Sequence, residues 1–590
     1  MITHTDLLVE IGDNLVQGCM SLELSQSIHG HHYFQARFSG EGLENDPLGL
    51  GSDSLNQIGQ TFKTELSNNA SESSNFKGII TSVRAIASGH SGQGQIIVFE
   101  GYSPTILLEN GQSSQSYLNM SFSDIINKAI QGPASNLLKV TVKPSHDPRL
   151  SYIVQYNETA FGFVNRMACR FGEWLYYDGS EMVVGSHKQL EVTLIYGSDL
   201  QTFDYVMQSS SVVRQFIAHS YSDNQTQNIN TKSVQPGISG TSKQVYDNAA
   251  KTWQAPQNGI LLHFDGESLK RQLDDVAKTT VEGAAANQVK FNGSSTNPSI
   301  VPGATIKIMG FDAREYGNYT VCSVDHHFSI GGNYHNTFTA IASDVKASPF
   351  SNPALTPKSE AQAGVVEDNN DPDGLGRVKV RLYWQRDTVT PWLRIVVPYA
   401  GSSKGMYFIP EKGEEVMVSF EGGNAEIPFV IGSVYHGNMK PANFKSNNND
   451  IKAIQTRSGH IIELNDDENG NWGITIKDKN DNKVQIDSKG KNINITALGK
   501  ITLSAKDIDI LAQDKLTLES GATIKANATD GITARAKKLD MEISDEYSLN
   551  TKKFECVAEK VDIQSTKDNL TLSSGKEVAT KSKAKKIKLS

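Results

Sequence analysis

The chain has 590 residues, and its 56 basic and 65 acidic side chains give a formal net charge of −9. Hydrophobic residues make up 38% of the chain and charged residues 21%, so a disordered chain is excluded. The acidic balance argues against a nucleic-acid binder, and no apolar run is long enough for a transmembrane helix. The four cysteines lie far apart, which excludes a disulfide scaffold. The N-terminus carries no secretion signal, as expected of a protein made in the cytoplasm.

The first half of the chain reads as strands with an α+β insertion. Alternating apolar and polar residues predict a first β-barrel over 1–105. Within 106–212, Phe161, Val164, Ala168 and Phe171 share one helical face. Residues 213–347 return to strands, with one helix near 269–276, and predict a second β-barrel.

Two capping and turn signals refine this α+β unit. Asn157 and Thr159 precede the predicted helix and are both candidate N-caps. Asp178-Gly179 separates two apolar runs and predicts a β-hairpin.

A small β domain lies between two polar linkers. Residues 348–360 are rich in proline and serine, and residues 438–450 are polar with five asparagines, so both are interpreted as linkers. Between them, 361–437 carries about five short strands, and positions 378, 380, 382 and 384 alternate as apolar residues. This pattern predicts an OB-fold barrel.

The last hundred residues carry a repeat in which apolar pairs spaced i, i+2 recur every seven to nine residues. This period fits one short strand and one tight corner, so 451–590 is predicted to form a β-helix needle. The residues that we expect to form its core are Ile493, Ile495, Ile501, Leu503, Ile508, Ile510, Leu516, Leu518, Ile524, Leu539, Met541, Val561, Ile563, Leu570 and Leu572.

The repeat admits two windings. A single repeat at each level of the rod cannot enclose a core, because a closed cross-section needs at least three walls. A single chain would need about three repeats per turn, whereas three chains wound together would each supply one wall. We favour three chains because no 24-residue superperiod in side-chain size is visible.

Motifs in three regions stand in a fixed order. QYNETAFGF lies in the α+β unit, DNNDPDGLGRVKVRLYW and then FIPEKGEEV lie in the OB region, and IQTRSGH opens the repeat region. Together they resemble the VgrG spike proteins of type VI secretion systems, which are similar to fused hub and needle proteins of contractile phage tails. The needle repeats depart from the best-known members in being rich in Lys, Asp, Ser and Thr, with few glycines.

The resemblance implies a homotrimer. Its hub would sit on a tube of hexameric rings among baseplate proteins, and its needle would carry a PAAR-like tip protein. Sheath contraction would drive the spike through a target membrane, so that the protein leaves the cytoplasm through the machine. Effectors could bind noncovalently. The same part in a phage or an extracellular injection particle is the alternative.

No catalytic or cofactor site is predicted. The junction of 438–450 is too short to hold an enzymatic domain, and no P-loop, nucleophile elbow or HExxH motif is present. A secreted single-chain β-helix that acts on polysaccharides is the rival from another class. The repeat lacks the long loops that would build its cleft.

No metal site is predicted either. His29, His31 and His32 are interpreted as residues of a surface or interface strand, and the same holds for His326 and His327. A third candidate begins at Asn369 and resembles half of an EF-hand. It has valine where the bidentate glutamate is required, so it is interpreted as a turn.

The extreme C-terminus is a candidate interface for the tip protein. Residues 581–590, KSKAKKIKLS, hold five lysines, and three chains would bring fifteen together. Such a cluster repels itself unless an acidic partner covers it. The alternative is a solvated outer face. The candidate contact residues are Lys585, Lys586, Ile587, Lys588 and Leu589.

Overall fold

The computed structural model of the protein describes residues 4–39, 56–69, 72–86, 96–132, 136–186, 190–211, 215–220, 225–230, 234, 237–253, 260–262, 269–331, 333–583 and 587. The chain forms two units, Met1–Lys452 and Ala453–Ser590. The described residues are mainly β, as predicted from the sequence.

Most of the first seven strands alternate buried side chains with more exposed ones because each of these strands covers a core with one face. In the fourth of them, Phe34, Ala36 and Phe38 are fully buried. A short 3-10 helix, Pro104–Glu109, follows the last. The strands are β1 (Thr5–Ile11), β2 (Asn14–Val16), β3 (Cys19–Ser27), β4 (Tyr33–Ser39), β5 (Thr61–Asn68), β6 (Ser73–Ile86) and β7 (Ile96–Tyr102).

Gly101 leaves room for an aromatic stack in this core. The ring of Phe34 stacks on Phe62 with centroids 4.1 Å apart. A Cβ at position 101 would lie 2.0 Å from the carbonyl oxygen of Ile79 and 2.8 Å from the Phe34 ring. Because backbone and buried ring both resist displacement, we expect Gly101→Ala to lower the free energy of unfolding by about 3 kcal/mol.

Denaturant unfolding measures this effect. Gly432→Ala is the matched control, because a Cβ there meets nothing within 4 Å. Equal midpoints for the two alanine variants would contradict the prediction.

The α+β unit follows the first strands. The helix predicted from the face of Phe161 and Val164 is confirmed: Thr159 accepts a hydrogen bond from the backbone N–H of Gly162 at its start, and Gly172 ends it with φ of 72°. The predicted hairpin at Asp178 is also confirmed. The elements are β8 (Ser113–Ser121), α1 (Phe122–Ile130), β9 (Lys139–Lys143), β10 (Arg149–Glu158), α2 (Ala160–Phe171), β11 (Trp174–Tyr177) and β12 (Glu181–Gly185).

The next region contains two helices among its described residues, where the sequence predicted one. The unpredicted helix is mostly polar and buries only Ser242, Tyr246 and Ala249, so its apolar periodicity is weak. The elements are β13 (Glu191–Ile195), β14 (Leu200–Met207), β15 (Gln215–Ser220), β16 (Gln225–Asn230), α3 (Gly240–Thr252), β17 (Ile260–Leu262), α4 (Leu269–Ala286), β18 (Val289–Ser295), β19 (Thr305–Met309), β20 (Glu315–Ser329) and β21 (Asn333–Ala342).

One sheet of 13 strands joins the early and late hub strands. Its order is β14-β18-β21-β20-β3-β4-β7-β6-β5-β1-β2, with β13 and β19 attached through β20. The antiparallel pair of β3 and β20 links the two halves of the hub, which lie about 300 residues apart in sequence. Helices α1 and α2 contribute buried residues to the core of the first half.

The OB region forms a four-stranded sheet of order β23-β22-β26-β27, with a small hairpin of β24 and β25. Val378, Val380 and Leu382 are fully buried and Trp384 packs against the same core, as the alternation predicted. The strands are β22 (Gln362–Asp368), β23 (Lys379–Leu382), β24 (Ala400–Gly401), β25 (Lys404–Gly405), β26 (Glu415–Phe420) and β27 (Pro428–Ser433). Short 3-10 helices follow at Glu421–Gly423 and Ala442–Phe444.

The repeat region begins with a five-stranded antiparallel meander, which the sequence analysis did not anticipate. Tight polar turns permit it: the Asp478 carboxylate accepts hydrogen bonds from the backbone N–H groups of Asn480 and Asn482. The strands are β28 (Ile451–Gln455), β29 (Ile461–Asn465), β30 (Gly473–Lys477), β31 (Lys483–Asp487) and β32 (Asn492–Thr496).

Candidate functional site

Beyond the meander the described chain, residues 497–583, is extended and contains no strand paired within itself. It bends at 498–499, 506, 513–514 and onward, so that a bend recurs every seven to nine residues up to 583. This spacing matches the steps of the apolar pairs in the sequence. Each repeat is therefore one straight segment followed by one corner.

We name the fifteen predicted core residues from Ile493 to Leu572 the apolar ladder; Ile493 and Ile495 lie on β32, and the other thirteen lie on these segments. In the single chain each of them is at least 50% exposed, the lowest value being that of Ile508. Burying such a side chain is worth about 1.5–3 kcal/mol, so the ladder is an unusually long apolar surface to leave in water.

The opposite face of the segments is charged. Lys538 pairs with Asp540 at 2.6 Å, and Lys553 pairs with Glu555 at 2.5 Å. In the first pair the ladder residue Leu539 lies between the two partners, so its side chain points the other way. These exposed pairs add less than about 1 kcal/mol each. Their value is to keep one face of each segment polar.

A buried ion-pair cluster joins the hub to the OB region. Glu426, just before β27, is 4% exposed. Its Oε2 accepts a hydrogen bond from Arg170, and its Oε1 lies 3.7 Å from Nη1 of Arg166. Arg166 also donates to Glu158 at 2.7 Å. Both arginines lie on α2, so one hub helix holds a carboxylate of the OB region.

Sequence reasoning missed this cluster. The available signal was the pair of arginines spaced i, i+4 on an otherwise apolar helix, because buried arginines need partners. Nothing in the local sequence pointed to Glu426.

Neutral hydrogen bonds support the same junction. Nε2 of Gln385 donates to Oγ of Ser116 at 2.8 Å and to the hydroxyl of Tyr152 at 3.1 Å. Tyr152 and Val154 of β10 pack within the core of the OB region. Apolar contacts, hydrogen bonds and ion pairs therefore all tie the OB region to the α+β unit.

His29, His32 and His326 were interpreted as residues of surface or interface strands, and the surface placement was wrong, since these residues are 8%, 0% and 1% exposed. His29 and His32 lie in the turn between β3 and β4. Nε2 of His326 donates to Gln26 Oε1 at 3.0 Å, and its Nδ1 accepts from the hydroxyl of Tyr334 at 2.6 Å. Both ring nitrogens of His326 therefore have partners when the imidazole is neutral.

Burial lowers the pKa of His29 to about 4 and the pKa values of His32 and His326 to about 3, against an ordinary 6.5. Below pH 6.5 the unfolded chain therefore binds more protons than the folded chain. We expect the free energy of unfolding to fall from pH 6.5 toward pH 4, by about 1.4 kcal/mol per pH unit for each histidine.

Denaturant unfolding at pH 7 and pH 5 measures this loss. In His326→Gln the free energy of unfolding should depend less steeply on pH, by the contribution of one histidine. A free energy of unfolding that is unchanged between these two pH values would contradict the prediction.

His29 also takes part in an arrangement that resembles a nucleophile–base pair. Its Nε2 accepts from Oγ of Ser348 at 2.7 Å, and its Nδ1 donates to Oδ1 of Asn165 at 2.7 Å. Sγ of Cys169 lies 3.4 Å from the same Nδ1. The side chain of Ser348 is fully buried, so a substrate could not reach it in this conformation. Its evident role is to fasten the linker to the hub.

The half EF-hand sequence forms a turn, as predicted. Oδ2 of Asp371 accepts hydrogen bonds from the backbone of Leu375 and from Arg377, and Oδ1 accepts from the backbone of Asp373. The guanidinium of Arg377 holds the pKa of Asp371 well below its usual range. The carboxylate thus fixes the turn that leads into β23, and its oxygens already accept hydrogen bonds from protein donors.

The described residues provide neither a preformed metal site nor a membrane-spanning helix. They contain no group of three or more His, Cys, Asp or Glu side chains placed to hold a metal. Their helices include none with the length and hydrophobicity to cross a membrane. Of the predicted tip contacts, Ile587 is 49% exposed. Lys585, Lys586, Lys588 and Leu589 lie outside the described residues.

Comparisons with known proteins agree with this architecture. Residues 50–332 match the family described as phage tail baseplate hub. Residues 362–435 match the type VI secretion system/phage-baseplate injector OB domain. Two Pseudomonas aeruginosa spike proteins are similar: VgrG1b is 22% identical over 66% of this chain and 56% of its own length, and VgrG1a is 24% identical over 66% and 64%.

The chain therefore spans between half and two thirds of the length of these two relatives. Among solved structures, a Francisella PdpA–VgrG complex aligns with a TM-score of 0.51 at 10% identity, over 84% of this chain and 88% of that one. At this identity the likeness concerns the fold alone. The chain thus carries a phage-type baseplate hub and an injector OB domain in one polypeptide and resembles the VgrG spike proteins.

Proposed function

We propose that this chain is the membrane-puncturing spike of a contractile injection machine of the type VI kind, and that it works as a homotrimer. The observation that carries the proposal is the apolar ladder, which is at least half exposed along its length in the single chain. Three chains that wind together would turn their ladders toward a common axis. Their backbones would pair with one another, and no open strand edge would remain.

The mechanism is mechanical. Thirteen repeats, each advancing by one strand spacing of about 4.8 Å, would make a rod on the order of 60 Å long. Its polar outer faces would carry lysine–carboxylate pairs such as Lys538 with Asp540. Separation of the chains would require many backbone hydrogen bonds and apolar contacts to break together. Such a rod would resist bending and fraying when the contracting sheath pushes it.

The hub would receive the force and the OB region would pass it to the needle. The Glu426 cluster supports this assignment, because it fastens the two regions through a nearly buried carboxylate. We propose the hexameric tube protein and baseplate proteins as hub partners. We propose a PAAR-like tip protein at the residues near Ile587, with effectors as noncovalent cargo. The chain would be made in the cytoplasm and exported by the machine itself, without catalysing a reaction.

Light scattering of the purified full-length protein after size exclusion tests the trimer. We expect a mass near three times 64.4 kDa, resistant to mild denaturant. A clean monomer would contradict the proposal and favour the single-chain β-helix, for which a polysaccharide-cleavage screen would follow. A baseplate of phage or of an extracellular particle is the second candidate, favoured by the match of 50–332 to the phage hub family. Copurification with a type VI tube protein distinguishes the two machines.

A further inference from the structure

Two histidines form a pair on the exposed face of the hub sheet. His327 of β20 lies directly opposite His335 of β21 in the antiparallel register. Their ring centroids are 5.0 Å apart, and the ring planes differ by 21°. Their neighbours in sequence, His326 and Asn336, point into the core instead. The alternation of the strands therefore separates this pair from the buried histidine network.

A carboxylate lies on the third strand of the same row. Glu23 of β3 is opposite His327 on its other side, so His335, His327 and Glu23 follow one another across β21, β20 and β3. Paired residues on neighbouring strands project to the same face, with Cβ atoms about 4.5–5.5 Å apart. Among the described residues, none of the three side chains has a hydrogen bond or an ion pair. Their donor atoms are not engaged by that part of the protein.

The two rings are stacked in the free protein, and they are close enough to bind one metal ion once they reorient. With metal–nitrogen distances of about 2.0–2.1 Å, two imidazoles on one ion have centroids about 4.5 Å apart at a right angle and about 5.2 Å apart at the tetrahedral angle. The observed 5.0 Å lies between these values. Rotation about the final side-chain torsion, which is broad for histidine, would turn a nitrogen of each ring toward a common point.

We propose that His327 and His335 bind one divalent transition-metal cation of the Zn²⁺ or Cu²⁺ class. Glu23 is the third ligand after a change of rotamer, and water completes the coordination. The rotamer change is required because the three donors are not already gathered around one point. Imidazole and carboxylate ligands suit Zn²⁺ and Cu²⁺. The bound ion would cross-link the strands that join the two halves of the hub sheet, and so stabilise the folded hub.

Isothermal titration of the tag-free, full-length protein with metal chlorides tests the site. We expect one ion per chain, with Cu²⁺ bound more tightly than Zn²⁺ and Mg²⁺ not bound. His327→Gln and His335→Gln should each abolish binding, and Glu23→Gln should weaken it about tenfold. His146→Gln, at an exposed histidine elsewhere in the hub, is the matched control and should bind as the wild type does.

Thermal unfolding supplies an independent readout. Zn²⁺ should raise the melting temperature of the wild type but not that of either histidine variant, because only the folded state holds the site. In the presence of a chelator the wild type and all variants should have the same melting temperature. Equal values would show that the substitutions remove metal binding without disturbing the fold. No measurable binding of Zn²⁺ or Cu²⁺, or binding that survives both histidine substitutions, would overturn the proposal.

Discussion

Replacing both Ile508 and Ile510 with aspartate is expected to abolish the trimer. The two positions form one pair of the apolar ladder. In the proposed needle they face the common axis, so each of three chains would place two carboxylates in an apolar core at one level. Burying an unpaired charge costs several kcal/mol, and like charges at this spacing add repulsion. We expect monomers by light scattering and loss of resistance to mild denaturant.

The matched control is Asp507→Asn with Asp509→Asn. These residues alternate with the ladder pair and point to the opposite face of the same segment, so they change charge without entering the core. The control should keep the trimeric mass. An aspartate variant that also keeps it would mean that positions 508 and 510 do not form the core, even if the protein is trimeric.

Glu426→Ala is expected to lower the free energy of unfolding of the hub and OB unit by about 3–5 kcal/mol. The substitution removes the carboxylate of Glu426, which is only 4% exposed, from Arg166 and Arg170. The side chains of these arginines are themselves only 8% and 13% exposed. Arg166 keeps Glu158, so Arg170 should contribute most of the loss. The reason is the cost of an uncompensated charge where water cannot replace the partner.

Denaturant unfolding measures this loss, with Glu421→Gln as the control in the same region. The Glu421–Arg394 pair is 33% and 39% exposed, so breaking it should cost less than about 1 kcal/mol. Similar midpoints for the two variants would contradict a structural role for the Glu426 cluster. Limited proteolysis of the alanine variant should also cut between hub and OB region sooner than in the wild type.

Features with a local period were predicted well. Helix α2 was visible from its apolar face and from Thr159, and the OB strands were visible from Val378, Val380 and Leu382. A residue pattern of period 3.6 or 2 reports which face is buried, whatever the partner is. Helix α3 was not predicted, because it buries few residues and its sequence therefore shows little apolar periodicity.

Features that depend on distant partners were not predicted. His29, His32 and His326 were placed on a surface or interface strand because histidine is compatible with either environment, and only the tertiary structure buries them. The Arg170–Glu426 contact joins residues 256 positions apart. No local spacing encodes such a pair, so its existence could not be inferred from either residue alone.

The sequence by itself determined that the chain is mainly β and that its last hundred residues repeat one straight segment and one corner, because both properties follow from side-chain periodicity along the backbone. Only the tertiary structure decided which polar groups are buried, how β3 and β20 unite the two halves of the hub, and how α2 holds the OB region. These depend on which distant segments meet, and that choice is made by packing of whole elements and by pairing of buried charges.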